Sequence, residues 1–178
     1  HRDARGESRT PIVFEQADSG KPWGTVALQG QGANNSIERY TRFYGGGGAV
    51  IHEVEYTGSV SLHYVDGVDY DHVEIARNVR SDDAFHAYHS SFVMRNCTFL
   101  NTNSDAMDLD YATGEISHCR FIHAGNDAFD LMTSNPRHMA NYTTGSADKG
   151  ISIGVARNPL VFNTYIQRCE RGIEMRDC

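Results

Sequence analysis

The sequence lacks long apolar segments, closely spaced cysteine pairs and, almost entirely, lysine. No stretch of its 178 residues approaches the ~18 uninterrupted apolar residues that a membrane-spanning helix requires. The four cysteines include no CxxC pair, which argues against a zinc ribbon or a thioredoxin-like motif. The sequence also has no leucine-rich run closing on asparagine and no helical 3.6-residue period, so leucine-rich repeats and helical repeats fit poorly.

The ionisable residues are mostly arginine and aspartate. The formal net charge is −7 at pH 7, which argues against a nucleic-acid binder that works by neutralising phosphates. The basic residues are fourteen arginines and two lysines, Lys21 and Lys149. Eight aspartates lie between Asp82 and Asp148, both included. We therefore expect a cation or a cationic partner rather than an anionic surface.

Five segments spaced 22 residues apart share one pattern. Their second residue is Ala or Gly, their third and fifth residues are apolar, and their fourth is polar. Apolar residues at alternate positions predict a strand with one buried face, and the fixed spacing predicts that such strands stack in register. The sequence therefore predicts an all-β fold, a parallel β-helix with ~22-residue coils. The segments are Asp83–Ala87, Asp105–Leu109, Asp127–Leu131, Lys149–Ile153 and Arg171–Met175.

The domain organisation follows from where this period holds. We expect a single β-helix domain over 1–178, with irregular coils in 1–67 and regular coils in 68–178. Because no polar cap closes the repeat, we expect a fragment of a longer solenoid or a chain that stacks end to end. The stretch Asn135–Gly145 predicts a surface excursion, and Gly45–Gly48 a flexible turn. Strand candidates in the first third are Pro11–Phe14, Thr25–Leu28 and Ser36–Tyr40.

Three stretches, Asp105–Asp110, Gly125–Leu131 and Asp148–Gly154, carry a family resemblance. They resemble bacterial right-handed parallel β-helix repeat proteins, in particular the secreted regions found beside CotH-type and lamin-tail domains. The resemblance implies a right-handed coil and an extracellular or cell-surface location. A more distant resemblance is to polysaccharide lyases of this fold, which bind Ca²⁺ through stacked aspartates and use a lysine as base. The residues that carry this resemblance are Asp105, Asp108, Asp127, Asp130 and Lys149.

The aspartates form an outward column in the predicted coil. Asp108 and Asp130 would stand ~4.8 Å apart on adjacent coils, where two carboxylates repel by ~3.5 kcal/mol at an effective dielectric of 20. Solvent and arginine partners, a structural Ca²⁺, or a Ca²⁺ that binds a ligand would each relieve this repulsion. The candidate Ca²⁺ ligands are Asp105, Asp108, Asp110, Asp127 and Asp130.

The same columns contain candidate catalytic and ligand-binding residues. Lys149 is a candidate base and Arg171 a candidate partner for a substrate carboxylate, although both also fit a simple ladder of salt bridges. Three further outward residues, His86, Ser152 and Glu174, are candidate ligand contacts.

The cysteines are expected to have structural rather than catalytic roles. Cys97 and Cys119 are expected to point inward on adjacent coils as a reduced pair, because their stacking distance is slightly long for a disulfide. Cys169 and Cys178 could bridge to each other or to cysteines outside the given sequence.

Two functional hypotheses stay open at this point. The first is a non-enzymatic extracellular solenoid with a structural, adhesive or fibre-forming role. The second is a calcium-dependent enzyme, most simply a lyase, that acts on acidic polysaccharide. The expected partners are accordingly an acidic polysaccharide or further copies of the chain.

Overall fold

A computed structural model describes residues 1–18, 20–155 and 158–177. The described residues form short strands and one 3₁₀ turn at Gln31–Ala33, and no helix among them is long and apolar enough to cross a bilayer. The strands are β1 (Asp3–Arg5), β2 (Ile12–Phe14), β3 (Val26–Gln29), β4 (Ile37–Arg39), β5 (Thr41–Tyr44), β6 (Ala49–Ile51), β7 (Val54–Tyr56), β8 (Gly58–His63), β9 (Val68–Asp71), β10 (Glu74–Ala76), β11 (Asp83–Tyr88), β12 (Ser91–Arg95), β13 (Thr98–Thr102), β14 (Asp105–Asp110), β15 (Thr113–Ser117), β16 (Arg120–Ala124), β17 (Asp130–Met132), β18 (Arg137–Met139), β19 (Tyr142–Thr144), β20 (Lys149–Gly154), β21 (Leu160–Phe162), β22 (Tyr165–Gln167) and β23 (Arg171–Arg176).

The strands form three parallel sheets that run along the solenoid. The first sheet has the order β1-β4-β9-β12-β15-β18-β21, and the second has β2-β5-β10-β13-β16-β19-β22. The third sheet has the order β3-β8-β11-β14-β17-β20-β23. Each coil of the chain contributes one strand to each sheet, which confirms the all-β parallel solenoid that the repeat predicts.

The register shows how regular the coils are. In the middle of the chain Asp83 pairs with Asp105, and Glu115 with Arg137, so each coil has 22 residues there. Arg137 pairs with Leu160, which makes that coil one residue longer. Near the N-terminus the coils are longer still, because Ile37 pairs with Asp69 and Val26 with Val60.

The core is built from inward columns of apolar side chains that repeat from coil to coil. In the second sheet Phe99 and Phe121 stack at 4.9 Å between ring centroids, with their planes 6° apart. Each buried side chain of this size contributes ~1.5–3 kcal/mol relative to an exposed one. The main column of the third sheet, every member at most 1% exposed, is Val60, Phe85, Met107, Phe129 and Ile151.

Single residues in left-handed backbone conformation turn the chain at the corners. After β8, β11 and β14 these residues are Tyr64, His89 and Tyr111, with φ of 56°, 46° and 53°. Because one left-handed residue redirects the chain sharply, a corner needs no long loop, and the 22-residue repeat can hold three strands.

A two-stranded antiparallel hairpin, β6–β7, lies between β5 and β8 and interrupts the coil that leads from β3 to β8. The glycine run before it passes close to neighbouring chain segments. A Cβ on Gly46 would lie 2.7 Å from Ser59, and one on Gly47 would lie 2.4 Å from Pro22, so larger residues would force these segments apart. Gly45–Gly48 therefore does more than turn the chain, since it lets the hairpin leave a closely packed coil.

The strand candidates of the first third are confirmed as β2, β3 and β4. The excursion predicted at Asn135–Gly145 is wrong, because β18 and β19 continue the first and second sheets there. The pattern was obscured by His138, a polar residue that takes an inward position and is 1% exposed. The assignment of 1–178 to one domain of a longer solenoid stays a prediction.

The two inward cysteines are free thiols, as expected. Cys97 and Cys119 are both buried, at 2% and 1% exposure. The bridge between Cys169 and Cys178 involves a residue outside the described part of the chain.

Candidate functional site

The outer face of the third sheet carries the polar column that the repeat predicts. His86 pairs with Asp108 across β11 and β14, and Asp108 pairs with Asp130 of β17. The column continues through Ser152 and Glu174 in β20 and β23. The stacking of these residues on one face is therefore confirmed, whereas their binding roles stay predictions.

A second outward column lies two residues further along each strand and completes a cluster. It places Asp110 beside Tyr88, with His63 one coil earlier. One ligand atom each from His86, Asp108 and Asp110 lies within 4.8 Å of the other two. The His86 Nε2 atom is 3.5 Å from Asp110 Oδ2. We call these three residues the His–Asp–Asp cluster.

Asp105 and Asp127 bind the backbone of the next coil through one carboxylate oxygen each. Asp105 Oδ1 accepts hydrogen bonds from the Asp127 backbone N–H and from Asn126 Nδ2. Asp127 Oδ1 accepts from the backbone N–H of Lys149. Each carboxylate thus binds the backbone of the next coil, and the ligating atoms that converge are those of the His–Asp–Asp cluster. Asp108 and Asp110 of the five-aspartate Ca²⁺ set belong to this cluster, and Ca²⁺ binding by the set stays a prediction.

Burial and mutual repulsion act strongly on the carboxyl groups of this face. Burial, followed by the charges of Asp83 and Asp110, raises the pKa of Asp108 to about 9. Burial also raises the pKa of Asp105 to about 7 and that of Asp83 to about 6. A raised pKa is one of the remedies expected for stacked carboxylates, and it leaves Asp108 protonated at neutral pH when no cation is bound.

The β6–β7 hairpin forms one wall of a cleft of about 460 Å³ over this face. The Tyr56 ring of the hairpin packs against His63 at 4.6 Å between centroids, and its hydroxyl donates to Gln29 Oε1. These contacts anchor the hairpin to β3 and β8. The cleft is lined by Gln29, Glu53, Val54, Glu55, Thr57, His63, Tyr64, His86, Tyr88 and Asp110.

Three stacked rings form a ridge along the border of the cleft. Tyr64 and His89 stack at 5.3 Å with their planes 5° apart, and His89 and Tyr111 stack at 4.6 Å and 3°. Tyr88 meets both tyrosine rings at 90°. Tyr64 is 55% and Tyr111 50% exposed. We call Tyr64, His89 and Tyr111 the aromatic ladder.

The candidate catalytic pair lies in β20 and β23, further along the sheet than the strands that line the cleft. Lys149 is 7% exposed, and its Nζ atom lies 2.6 Å from Asp148 Oδ2 and 3.3 Å from Asp127 Oδ2. Burial lowers the pKa of Lys149, but the hydrogen bond to Asp148 and the charge of Asp127 outweigh it and raise the pKa above its usual value.

Arg171 is bound to carboxylates as well. Its guanidinium lies 3.2 Å from Asp148 and 2.9 Å from Glu174. These contacts fit the interpretation of this column as a ladder of salt bridges.

Sequence reasoning missed the hairpin and the aromatic ladder. The ladder residues follow the repeat, since Tyr111 comes 22 residues after His89 and His89 comes 25 after Tyr64. Extending the repeat columns two residues beyond each strand segment would have found them, together with Tyr88. The hairpin has no such signal, because β6 and β7 occur once and outside the period.

Comparison with known proteins agrees with this architecture. No curated protein and no solved structure is significantly similar to the chain. The family described as "Right handed beta helix region" matches residues 83–178, which is more than half of the chain and includes β11 and β14 with the whole His–Asp–Asp cluster. The chain thus belongs to the right-handed beta helix family.

Proposed function

We propose that this chain is an extracellular β-solenoid with an adhesive role that binds a polysaccharide in the cleft beside the β6–β7 hairpin. The observation that carries the proposal is a row of exposed, stacked aromatic rings that begins in the cleft at Tyr64 and lies beside carboxylates that line the cleft. Sugar rings offer C–H groups that pack on aromatic surfaces and hydroxyl groups that donate to carboxylates. The extracellular location is taken from the resemblance to secreted β-helix regions.

The charge of the cleft determines how an acidic polysaccharide would bind. Glu53, Glu55 and Asp110 line the cleft, and the chain as a whole has a net charge of −7. A uronate chain is repelled by this surface unless a divalent cation lies between the two sets of carboxylates. Binding of an acidic polysaccharide is therefore expected to depend on Ca²⁺.

We propose binding rather than catalysis because of the state of Lys149. A lyase base has to be neutral to remove a proton from the sugar. The contacts of Lys149 with Asp127 and Asp148 favour its charged form, and β20 does not line the cleft. The calcium-dependent lyase alternative therefore has no available base at this position.

The test is a binding measurement with a matched pair of variants. Purified protein is titrated with pectate, alginate and a neutral polysaccharide, each with Ca²⁺ and with EDTA. We expect saturable binding to pectate or alginate that EDTA abolishes. Tyr111→Asn should weaken binding about tenfold, since a stacking contact contributes ~1 kcal/mol or slightly more. Asn tolerates the left-handed backbone of Tyr111.

The control is Tyr165→Asn, which removes an aromatic ring from a different sheet. Tyr165 is 58% exposed and stacks on Tyr142 at 5.7 Å and 3°, so it matches Tyr111 in exposure and in packing. Its affinity should stay within twofold of the wild type. Absence of binding to every polysaccharide, or equal losses in the two variants, would contradict the proposal. Release of an unsaturated product that absorbs ultraviolet light would restore the lyase alternative.

A further inference from the structure

The His–Asp–Asp cluster has the donor set of a transition-metal site. His86 contributes an imidazole nitrogen from β11, and Asp108 and Asp110 contribute carboxylate oxygens from β14. We propose that His86, Asp108 and Asp110 bind one divalent transition-metal ion of the Zn²⁺ or Mn²⁺ class. This goes beyond the proposed function and does not depend on it.

The distances fit a site that closes around its ion. The candidate ligand atoms lie within 4.8 Å of one another. A metal with bonds of ~2.1 Å holds neighbouring ligand atoms ~3.0–3.4 Å apart. The 3.5 Å between His86 Nε2 and Asp110 Oδ2 therefore needs almost no change, and side-chain rotation has to shorten the other separations by less than about 2 Å. Because His86 and Asp108 are register partners and Asp110 is two residues further on the same face, the backbone needs no change.

Buried polar atoms without partners provide a second, independent observation. Among the described residues, Asp83 Oδ2 and His86 Nδ1 have no hydrogen-bond partner, although Asp83 is 1% and His86 6% exposed. Asp83 precedes His86 by three residues in β11, and of all carboxylates it exerts the largest charge effect on Asp108. A buried carboxylate oxygen without a donor is destabilising, and a cation beside it offsets that cost.

The nitrogen ligand determines the class of metal. Ca²⁺ and Mg²⁺ take oxygen ligands, usually six or more, whereas imidazole with carboxylate suits Zn²⁺, Mn²⁺ and neighbouring ions. Three protein ligands also leave coordination positions open toward the cleft, which His86 and Asp110 line. The site shares Asp108 and Asp110 with the five-aspartate Ca²⁺ set but differs from it in its histidine ligand and in its metal.

The experiment uses the full 178-residue chain freed of metal with EDTA. Calorimetric titrations with ZnCl₂, MnCl₂ and CaCl₂ are followed by a Co²⁺ titration read by visible absorption. We expect one Zn²⁺ or Mn²⁺ per chain, bound more tightly than Ca²⁺. His86→Gln and Asp110→Asn should each weaken binding by about tenfold or more. Asp110 has a side chain 31% exposed, so its variant keeps the fold if the buried His86 variant does not.

Two control variants carry the same chemical changes outside the cluster. His118→Gln alters an exposed histidine far from the cleft lining, and Asp18→Asn alters an exposed carboxylate outside the polar column. Both should stay within about threefold of the wild type. The proposal is overturned if no stoichiometric binding occurs, if Asp110→Asn binds like the wild type, if the controls lose as much as the cluster variants, or if Ca²⁺ binds most tightly.

Discussion

At the scale of single residues, His138 is a polar side chain buried in the apolar core. It occupies an inward column of the first sheet between Ile116 and Val161, and it is 1% exposed. Both of its ring nitrogens lack hydrogen-bond partners among the described residues. Its ring packs edge-on against Phe129 at 4.7 Å. Burial lowers the pKa of His138 to about 4, so the folded protein keeps it neutral.

The pH dependence of stability follows from that pKa. Between pH 6.5 and 4 the unfolded chain binds a proton at His138 that the folded chain does not. The stability contribution is therefore complete above pH 6.5 and is lost as the pH falls toward 4, by about 3 kcal/mol in all. His138→Leu removes this loss and two unsatisfied nitrogens, and it should stabilise the protein by ~1–3 kcal/mol at pH 7.

Equilibrium urea unfolding of both proteins at several pH values checks this prediction. The difference in unfolding free energy between variant and wild type should widen between pH 7 and pH 4. The exposed His118 provides a control, since His118→Leu should leave the pH dependence unchanged. Curves for wild type and His138→Leu that run parallel over this range would show that the histidine is not held neutral.

At the scale of elements, consecutive coils are joined by side chains as well as by the backbone ladder. Asp105 accepts the backbone N–H of Asp127, and Asp127 accepts that of Lys149. Lys149 stands at the start of β20, and its ammonium group lies 3.3 Å from Asp127, which is 2% exposed. The buried ion pair thus attaches β20 to the coil before it.

Removing the cation of this pair should be costly. Lys149→Met leaves the buried Asp127 carboxylate without its partner, and we expect a loss of ~3–5 kcal/mol in unfolding free energy. Adding Asp127→Asn to that variant should recover much of the loss, because the amide oxygen can still accept the backbone N–H at position 149. Chemical denaturation of the single and double variants measures both effects.

The matched control is Arg171→Met, in the same column one coil later. The Arg171 side chain is 49% exposed, and exposed ion pairs contribute ~1 kcal/mol or less. A Lys149→Met variant as stable as Arg171→Met would mean that the ion pair does not join the coils.

At the scale of the whole molecule, the last described coil presents apolar side chains to solvent. Ile173 and Met175 continue the inward columns of Ile151 and Ile153, yet they are 50% and 60% exposed, against 0% and 2%. Their strand β23 is also an edge of the third sheet. Such a surface favours pairing with another strand of matching pattern.

For the 178-residue chain itself, this surface predicts self-association end to end. Analytical ultracentrifugation over a roughly hundredfold range of concentration should show the average mass rising with concentration. Met175→Lys should shift the equilibrium toward the monomer. Val50→Lys changes a residue of the hairpin that is 70% exposed and serves as the control. A mass that stays monomeric throughout, or equal effects of both variants, would contradict the prediction.

Particular residues show how far sequence reasoning reaches. The pairs His86–Asp108 and Asp108–Asp130 were predictable, since a period of 22 residues and an alternation of two determine which side chains share a face. The hydrogen bonds of Asp105 and Asp127 were less predictable, because stacking alone does not reveal that one oxygen of each carboxylate binds the backbone of the next coil. His138 caused a different error. Because it is polar although it points inward, the segment around it was interpreted as a surface excursion rather than as a strand.

The sequence by itself determined the parallel solenoid, most of its repeating strands and the outward polar column, because each of these follows from local periodicity repeated along the chain. The tertiary structure alone decided where the cleft lies, which three ligating atoms converge, and that Lys149 is buried and ion-paired. The physical reason is that these features depend on a hairpin outside the repeat and on side-chain rotation toward or away from neighbours. Neither leaves a periodic trace in the sequence.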